Sequence, residues 1–349
     1  MKKFLIFLSF FIIGAYILYA HFPLLSLKTS EPSLHEKALN WQKLNIISPT
    51  LAPTQGETFM AQDLASYFKS KGKKVRLFDT NSYITSPDFD AFGRSVNIFI
   101  HAWHFFTPPV HGINIAYLWL PDMGKLDYHS FDLIATASSK QALMLKEKGL
   151  PAVYIPQFSN AERFTYDYNP NLNVPVLFVG NLYDTDKLRP SVEYALQKGI
   201  DIDVYGRNWE KYIPLKYVKG TFIENDELHK YYASAQIVLN DHQPNMRANG
   251  FISNRVFDVT ASKGFLISDY MPEIQEAYGD SIPMYHNADD FAELIFYYLN
   301  HPREREQKAQ KAHQITMRRF TLQKVGDRLM QEITKVIEKR IKEKTITLD

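Results

Sequence analysis

Asn249-Gly-Phe-Ile-Ser-Asn-Arg-Val-Phe-Asp-Val-Thr-Ala-Ser-Lys-Gly-Phe-Leu-Ile-Ser-Asp269 reads as one helix running into one short buried strand. Ser253 can cap the helix, Lys263-Gly264 can end it, and Phe265 to Asp269 is the apolar strand that follows. The run Gln236-Ile-Val-Leu-Asn240 just before it is another strand, so the stretch is a strand, helix, strand unit of a parallel sheet. On such a helix Arg255 and Asp258 are i,i+3 neighbours, with Asn254 and Asp258 at i,i+4. Two readings fit that spacing. One is an ion pair on a solvated surface, which contributes little. The other is an anion site: a helix start attracts phosphate, Arg255 grips a pyrophosphate, and Asp258 accepts hydrogen bonds from ribose hydroxyls.

The same alternation extends outward through both halves of the chain. In the first half, strands are expected at Leu44 to Ser48, Val75 to Asp79, Val96 to Ile100, Asn114 to Leu118, Asp132 to Thr136 and Ala152 to Ile155. Helices fall at Glu57 to Lys71 and Lys140 to Lys148, each closed by a glycine. After a polar, turn-rich segment a second series begins with Val176 to Gly180, Ile202 to Gly206 and the unit quoted above. The final helix carries Val325, Leu329, Ile333, Ile337 and Ile341 at i,i+4 spacing, which gives it a docking face. The reading is α/β, with two Rossmann-like domains facing a cleft. Its segments are a hydrophobic anchor or signal at 1–26, a linker at 27–41, a first domain at 42–160, a linker at 161–174, and a second domain at 175–349 that includes the last helix.

Length and composition fit that division. At 349 residues the chain exceeds what a single core usually covers. Lys plus Arg is 40 against 38 for Asp plus Glu, a balance that gives no basis for nucleic acid as a partner. The absence of cysteine excludes disulfides, thiolate metal sites and a cysteine nucleophile. Met1-Lys2-Lys3 followed by the apolar run Phe4 to Ala20 has the charged start and hydrophobic core of a signal or a single anchor. Its exit, Leu18-Tyr19-Ala20, is a poor cleavage site, so an uncleaved, membrane-associated segment is expected. The side of the membrane on which the remainder lies stays open.

In open α/β sheets ligands bind beyond the carboxyl ends of strands, which puts the weight on residues just after each strand. In the second half these are Gly180-Asn181, Gly206-Arg207, Asn240-Asp241-His242 and Asp269. Gly180 and Gly206 either let a backbone approach a phosphate or base closely, or simply make tight turns. Lys187 and Arg189 could reach phosphate, or remain solvated surface cations. In the first half, Thr54-Gln-Gly-Glu57 leads into a helix start facing the cleft, and Asp122 is a weaker candidate. His101 and His104, in His-Ala-Trp-His after a strand, could contact a sugar, act as a base, ligate a metal, or pack beside Trp103 and Phe105. No nucleophile elbow, P-loop, zinc-protease helix or GxGxxG is present.

The second half resembles the glycosyltransferases of the GT-B fold, of the glycosyl transferases group 1 type, and within it the branch that includes spore-maturation-like proteins. The matching text is Val176 to Gly180, Val204-Tyr-Gly206, Gly220 to Tyr232, Asn249 to Gly264 and Leu266 to Asp269, with Phe131 to Ser139 and Gly149 to Phe164 resembling the end of the acceptor-side domain. The resemblance covers about residues 130 to 325. It implies that the second domain binds a nucleotide sugar, with Asp258 on the ribose and Arg255 on the diphosphate. It also sets Lys187 at a phosphate-binding base and His101 near the donor sugar. The commoner pattern has Glu where Asp258 stands and a second Glu eight residues earlier, where this chain has Gly250.

The expected activity is therefore hexosyl transfer from a nucleoside diphosphate sugar, UDP- or GDP-linked first, to a glycan, lipid or protein acceptor, of the kind used in building cell-surface polysaccharide. Catalytic candidates are His101 and Arg255. Binding candidates are Gly180, Asn181, Lys187, Gly206, Asn254, Arg255 and Asp258, with neither a metal nor another cofactor required. The rival readings are an exported two-domain ligand-binding protein and a catalytically inactive homologue.

Overall fold

The structure, a computed structural model, describes residues 33–346 apart from 54, 87–91, 102–107, 110, 122–125 and 183–186. The expected anchor at 1–26, the first part of the linker at 27–41, Thr54, His104 and Asp122 lie outside the described residues. Among the described residues no helix is long and apolar enough to cross a membrane.

Two six-stranded, wholly parallel sheets form the frame. The first holds β1 (Lys43–Ser48), β2 (Lys74–Asp79), β3 (Val96–Ile100), β4 (Ile113–Leu118), β5 (Leu133–Thr136) and β6 (Ala152–Tyr154), in the order β2-β1-β3-β4-β5-β6. Its helices include α1 (Leu34–Leu39), α2 (Gly56–Ser70), α3 (Thr80–Ile84) and α4 (Ser139–Glu147). The second sheet holds β7 (Val176–Val179), β8 (Asp203–Tyr205), β9 (Val218–Gly220), β10 (Ile237–Asn240), β11 (Leu266–Asp269) and β12 (Met284–Tyr285), in the order β12-β11-β10-β7-β8-β9. Around it lie α5 (Pro190–Gln197), α6 (Leu228–Ser234), α7 (Pro244–Ala248), α8 (Asn254–Ala261), α9 (Pro272–Tyr278), α10 (Ala288–Asn300) and α11 (Pro302–Arg319), and the chain then returns to the first domain in α12 (Leu322–Lys342).

Near-continuous apolar runs such as Ile113–Leu118 form central strands because both faces of a parallel sheet are covered by helices. The strand order reverses between β1 and β3 in the first sheet and between β7 and β10 in the second. A crevice opens at such a reversal, beyond the carboxyl ends of the strands. His101 follows β3 at one reversal, while Gly180 and Asp241 follow β7 and β10 at the other.

The last helix departs from the sequence reading. Leu322, Val325, Leu329, Ile333 and Ile337 join the buried core of the first domain, with Trp41, Tyr67 and Phe68. Gly326 permits the contact, since a Cβ there would stand 2.7 Å from the Tyr67 ring. The docking face is real, but it docks on α2 rather than on the second domain with which it was grouped. The segment Leu34–Leu39, placed within a linker, is the helix α1, opened by a Ser33–Glu36 capping box.

The chain thus crosses between domains twice, and the crossings hold each other. Ser159 N donates to Phe320 O at 2.9 Å and Leu322 N donates to Ser159 O at 2.9 Å, making a short parallel bridge between Ser159 and Thr321.

Candidate functional site

A cavity of about 390 Å³ lies between the domains, within the range of small-molecule sites. The first domain supplies Gln55, Gly56 and Glu57 at the start of α2, together with Asp63, His101 and Trp119. The second supplies Gly180, Asn181, Arg189, Gly206, Asn254, Arg255 and Asp258. Seven of the eight sequence candidates are thereby brought to one place: His101, Gly180, Asn181, Gly206, Asn254, Arg255 and Asp258. Lys187 is the exception, since its side chain is exposed and does not line the cavity. Two positions on, Arg189 turns inward and lines the cavity.

The start of α8 is fixed by a buried relay. Asp269 Oδ1 accepts from His242 Nδ1 at 2.6 Å, and His242 Nε2 accepts from Ser253 N at 2.9 Å. The imidazole therefore carries its proton on Nδ1. Ser253 stands at the N-cap as expected, yet its side chain makes no capping bond, because the relay holds the backbone instead. Val256 N donates to Ser253 O at 3.0 Å, while no side-chain cap takes the N–H groups of Asn254 and Arg255 at the helix start, which suits an anion.

Arg255 and Asp258 do not pair with each other. Arg255 Nη1 donates to Asn240 Oδ1 at 3.0 Å, and its guanidinium lies 5.0 Å from the Phe178 ring centroid. Arg189 lies 5.6 Å from the same ring and pairs with Asp241, whose side chain is fully buried. Burial alone would raise the Asp241 carboxyl, but Arg189, the Ser191 hydroxyl and Arg255 overcome it and hold the group below the ordinary carboxylate range. Burial lowers the pKa of Arg255, and the like charge of Arg189 adds to that, against the Tyr232 hydroxyl and Asp241. Arg189 has its own counter-charge. The direct partners of Arg255, Asn240 and Tyr232, are neutral.

Two glycines bring backbone close to these arginines. A Cβ on Gly180 would stand 2.7 Å from Arg255 Nη2. Gly206 has φ of 150°, and a Cβ there would stand 2.1 Å from Gly180 O. Close approach, rather than turn-making alone, is what these positions require. Asn181 Oδ1 accepts from Arg207 N at 2.9 Å and so ties the two strand ends together.

Asp258 is held by Ser159 Oγ at 2.7 Å and by Asn254 Nδ2 at 2.7 Å. Burial raises its pKa to about 8, with Asp63 adding and the Ser159, Arg163 and Asn254 contacts opposing. Asp63, from α2, is bonded by Arg163 Nη2 at 2.5 Å, and Arg163 Nη1 reaches Asn225 Oδ1 at 2.9 Å. The Arg163 side chain therefore bridges the two domains at the cavity edge. Nothing in the sequence singled out Ser159, near the end of the first domain, or Arg163, in the linker.

His101 is buried, with φ of 62°, and packs edge-on against Trp119 with ring centroids 5.6 Å apart. Burial lowers its pKa to about 3, so at neutral pH it is an uncharged ring and a weak base. That suits hydrogen bonding to a sugar better than proton abstraction. At Gly250, φ is 73° and a Cβ would stand 2.4 Å from Glu273 Oε1. The volume of a side chain at that position is already filled by a carboxylate from α9. Among the described residues no cluster of three or more acidic and imidazole side chains could hold a metal ion.

Residues 188–331 match the family model described as glycosyl transferase-like. Spore protein CgeB of Bacillus subtilis is 30% identical to this chain over 57% of it and 67% of that protein. Among solved structures, sucrose-phosphate synthase from Thermosynechococcus elongatus superposes with a TM-score of 0.65 at 12% identity, over 84% of this chain and 99% of that one. An alpha-glucosyltransferase in complex with UDP and a 13-mer DNA superposes with a TM-score of 0.58 at 12% identity, over 84% of this chain and 100% of that one.

Proposed function

Because the chain belongs to the glycosyl transferase-like family and has the GT-B fold, we propose that it transfers a sugar from a nucleoside diphosphate donor bound in the interdomain cavity. The observation that carries the reading is Arg255. It is a cation at the cavity wall, met directly by neutral groups, set at an open helix start beside two glycines that allow backbone approach. A diphosphate supplies the missing negative charge. Arg189 lies against the same Phe178 ring, already oriented by Asp241.

On this reading the leaving diphosphate accumulates charge as the glycosidic bond breaks. Arg255 and the start of α8 stabilise that charge in place, without reorganisation at the moment of reaction. Asp258 and Asn254 face the ribose. His101, as a neutral ring on the opposite wall, hydrogen-bonds the sugar. The UDP held by the superposed alpha-glucosyltransferase supports a uridine donor as the first choice, with a GDP-linked sugar next.

The acceptor we propose is a glycan, lipid or protein. That structural neighbour also holds DNA, but the balanced charge of this chain, 40 basic against 38 acidic residues, keeps nucleic acid outside the proposal. The apolar run from Phe4 to Ala20 supports association with a membrane. Family membership and fold do not favour an exported binding protein or an inactive homologue.

The test is release of nucleoside diphosphate by the purified chain from UDP-glucose, GDP-mannose and ADP-glucose, with and without oligosaccharide acceptors. Release from at least one donor supports the reading. No release from any of them, with or without acceptor, counts against transfer.

A further inference from the structure

At the other end of the second sheet lies a larger cavity, of about 790 Å³, whose lining includes Tyr166, Tyr168, Asn173, Lys263, Arg305 and Gln310. Asn173, Gln236 and Phe265 precede β7, β10 and β11, so this cavity opens at the amino ends of the strands. The cavity holding Arg255 is at their carboxyl ends. The two cannot share one small ligand.

The segment carrying the two tyrosines was read from sequence as a linker. It is instead a braced platform. Asn169 caps the 3₁₀ turn Pro170–Leu172 through Asn171 N at 3.0 Å, and Asn169 N donates to Ser234 Oγ at 2.8 Å. Asn173 Nδ2 donates to the Tyr168 hydroxyl at 3.3 Å. Lys263 Nζ lies 5.3 Å from the Tyr166 ring centroid, reaching it from a residue with φ of 58°. Yet Tyr166 and Tyr168 remain 56% and 46% exposed. Two large rings are thus held in position and still offered to solvent, an arrangement that lowers the ordering entropy of binding.

The chemistry around the rings selects the ligand. Asn173, Gln236 and Gln310 supply planar amides that both donate and accept, matched to neighbouring hydroxyls. Lys263 and Arg305 against Glu306 leave one excess cation, too little for a polyanion. The aliphatic lining is limited to small or partial contributions such as Ala233, Ala235 and Leu299, a poor fit for an apolar helix. Exposed aromatic faces with amide side chains bind the C–H faces and hydroxyl rims of pyranose rings.

We propose that this cavity is a second carbohydrate site, which holds an oligosaccharide chain away from the site of transfer. The assignment does not depend on the donor reading, because it needs only binding. The experiment is surface plasmon resonance of the full chain against maltohexaose, cellohexaose and chitohexaose. The wild type should bind at least one of them, and the double variant Tyr166→Ala, Tyr168→Ala should bind it at least about tenfold more weakly. Thermal unfolding and UDP titration of the same variant show whether its fold and the other cavity are intact. Gln310→Ala, on the opposite wall, should weaken the same oligosaccharide and gives an independent reading should the double variant fold poorly. The proposal is overturned if none of the three hexaoses binds the wild type, or if a folded double variant binds as tightly as wild type. Either result leaves the donor reading standing.

Discussion

Ser159 Oγ donates a 2.7 Å hydrogen bond to Asp258 Oδ1, tying the helix at the candidate donor cavity to the point where the chain passes between domains. Ser159 also bonds the returning chain at Phe320 and Leu322. One carboxylate therefore faces the cavity and braces the crossing between domains at once.

The raised pKa of Asp258 has a definite sign. Burial lifts it to about 8 from an ordinary carboxylate value near 4. The folded state holds this proton more tightly than the unfolded state. Its contribution to stability is complete below about pH 4 and is lost as pH rises towards about 8. Asp258→Asn should remove that decline, so the variant gains on wild type by up to a few kcal/mol between about pH 5 and about pH 9. Urea midpoints at the two pH values decide it, and a difference independent of pH contradicts the assignment.

Asp241 behaves in the opposite sense. Arg189 and Ser191 keep it ionised despite full burial, so its contribution is present above the ordinary carboxylate range and is lost as pH falls through its lowered pKa. Asp241→Asn leaves the Arg189 guanidinium largely buried with no counter-charge. The expected loss is about 3 kcal/mol, measured by denaturant unfolding at neutral pH. A variant within about 0.5 kcal/mol of wild type would mean the pair is replaceable by solvent.

Gly206→Ala tests the close approach of the two strand ends. Its Cβ would stand 2.1 Å from Gly180 O, at φ of 150°, so neither backbone nor side chain can relax cheaply. A loss of at least about 2 kcal/mol in thermal or denaturant unfolding is expected. Gly180→Ala should be milder for stability, because its Cβ meets the movable end of Arg255, but it should weaken nucleotide binding.

Gly326→Leu tests where the last helix belongs. The substitution drives a side chain into the Tyr67 ring that packs on Gly326 and donates to Asp327 Oδ1 at 2.6 Å. Limited proteolysis should then release α12 ahead of the second domain. Protection equal to wild type would contradict its docking on α2.

The alternation of apolar runs and amphipathic helices was legible because central strands such as Val96–Ile100 and Leu266–Asp269 are buried on both faces. The edge strands β2 and β6 were legible too, but several of the shortest elements were not. β9 and β12 span Val218–Gly220 and Met284–Tyr285, too short to show a period, and α3, α7 and α9 have five to seven residues. For the last helix, periodicity showed a face but not its partner, which depends on Gly326 meeting Tyr67. At the site, position after a strand was informative: it found Gly180, Asn181, Gly206, His101 and the α8 residues together. It could not tell Lys187 from Arg189, two residues apart, since the inward turn of Arg189 is set by Asp241, just past the end of β10. Nor could it find Ser159, whose role comes wholly from the two chain crossings.

The account turns on Arg255 and a diphosphate. Isothermal titration of UDP, GDP and ADP into the wild-type full chain and into Arg255→Ala measures that most directly. Micromolar binding of at least one nucleotide to wild type is expected, weakened between about tenfold and a hundredfold in Arg255→Ala, with Arg255→Lys in between because it keeps the charge and loses the fork. Equal affinity of wild type and a folded Arg255→Ala, or no nucleotide binding to wild type at all, would contradict it.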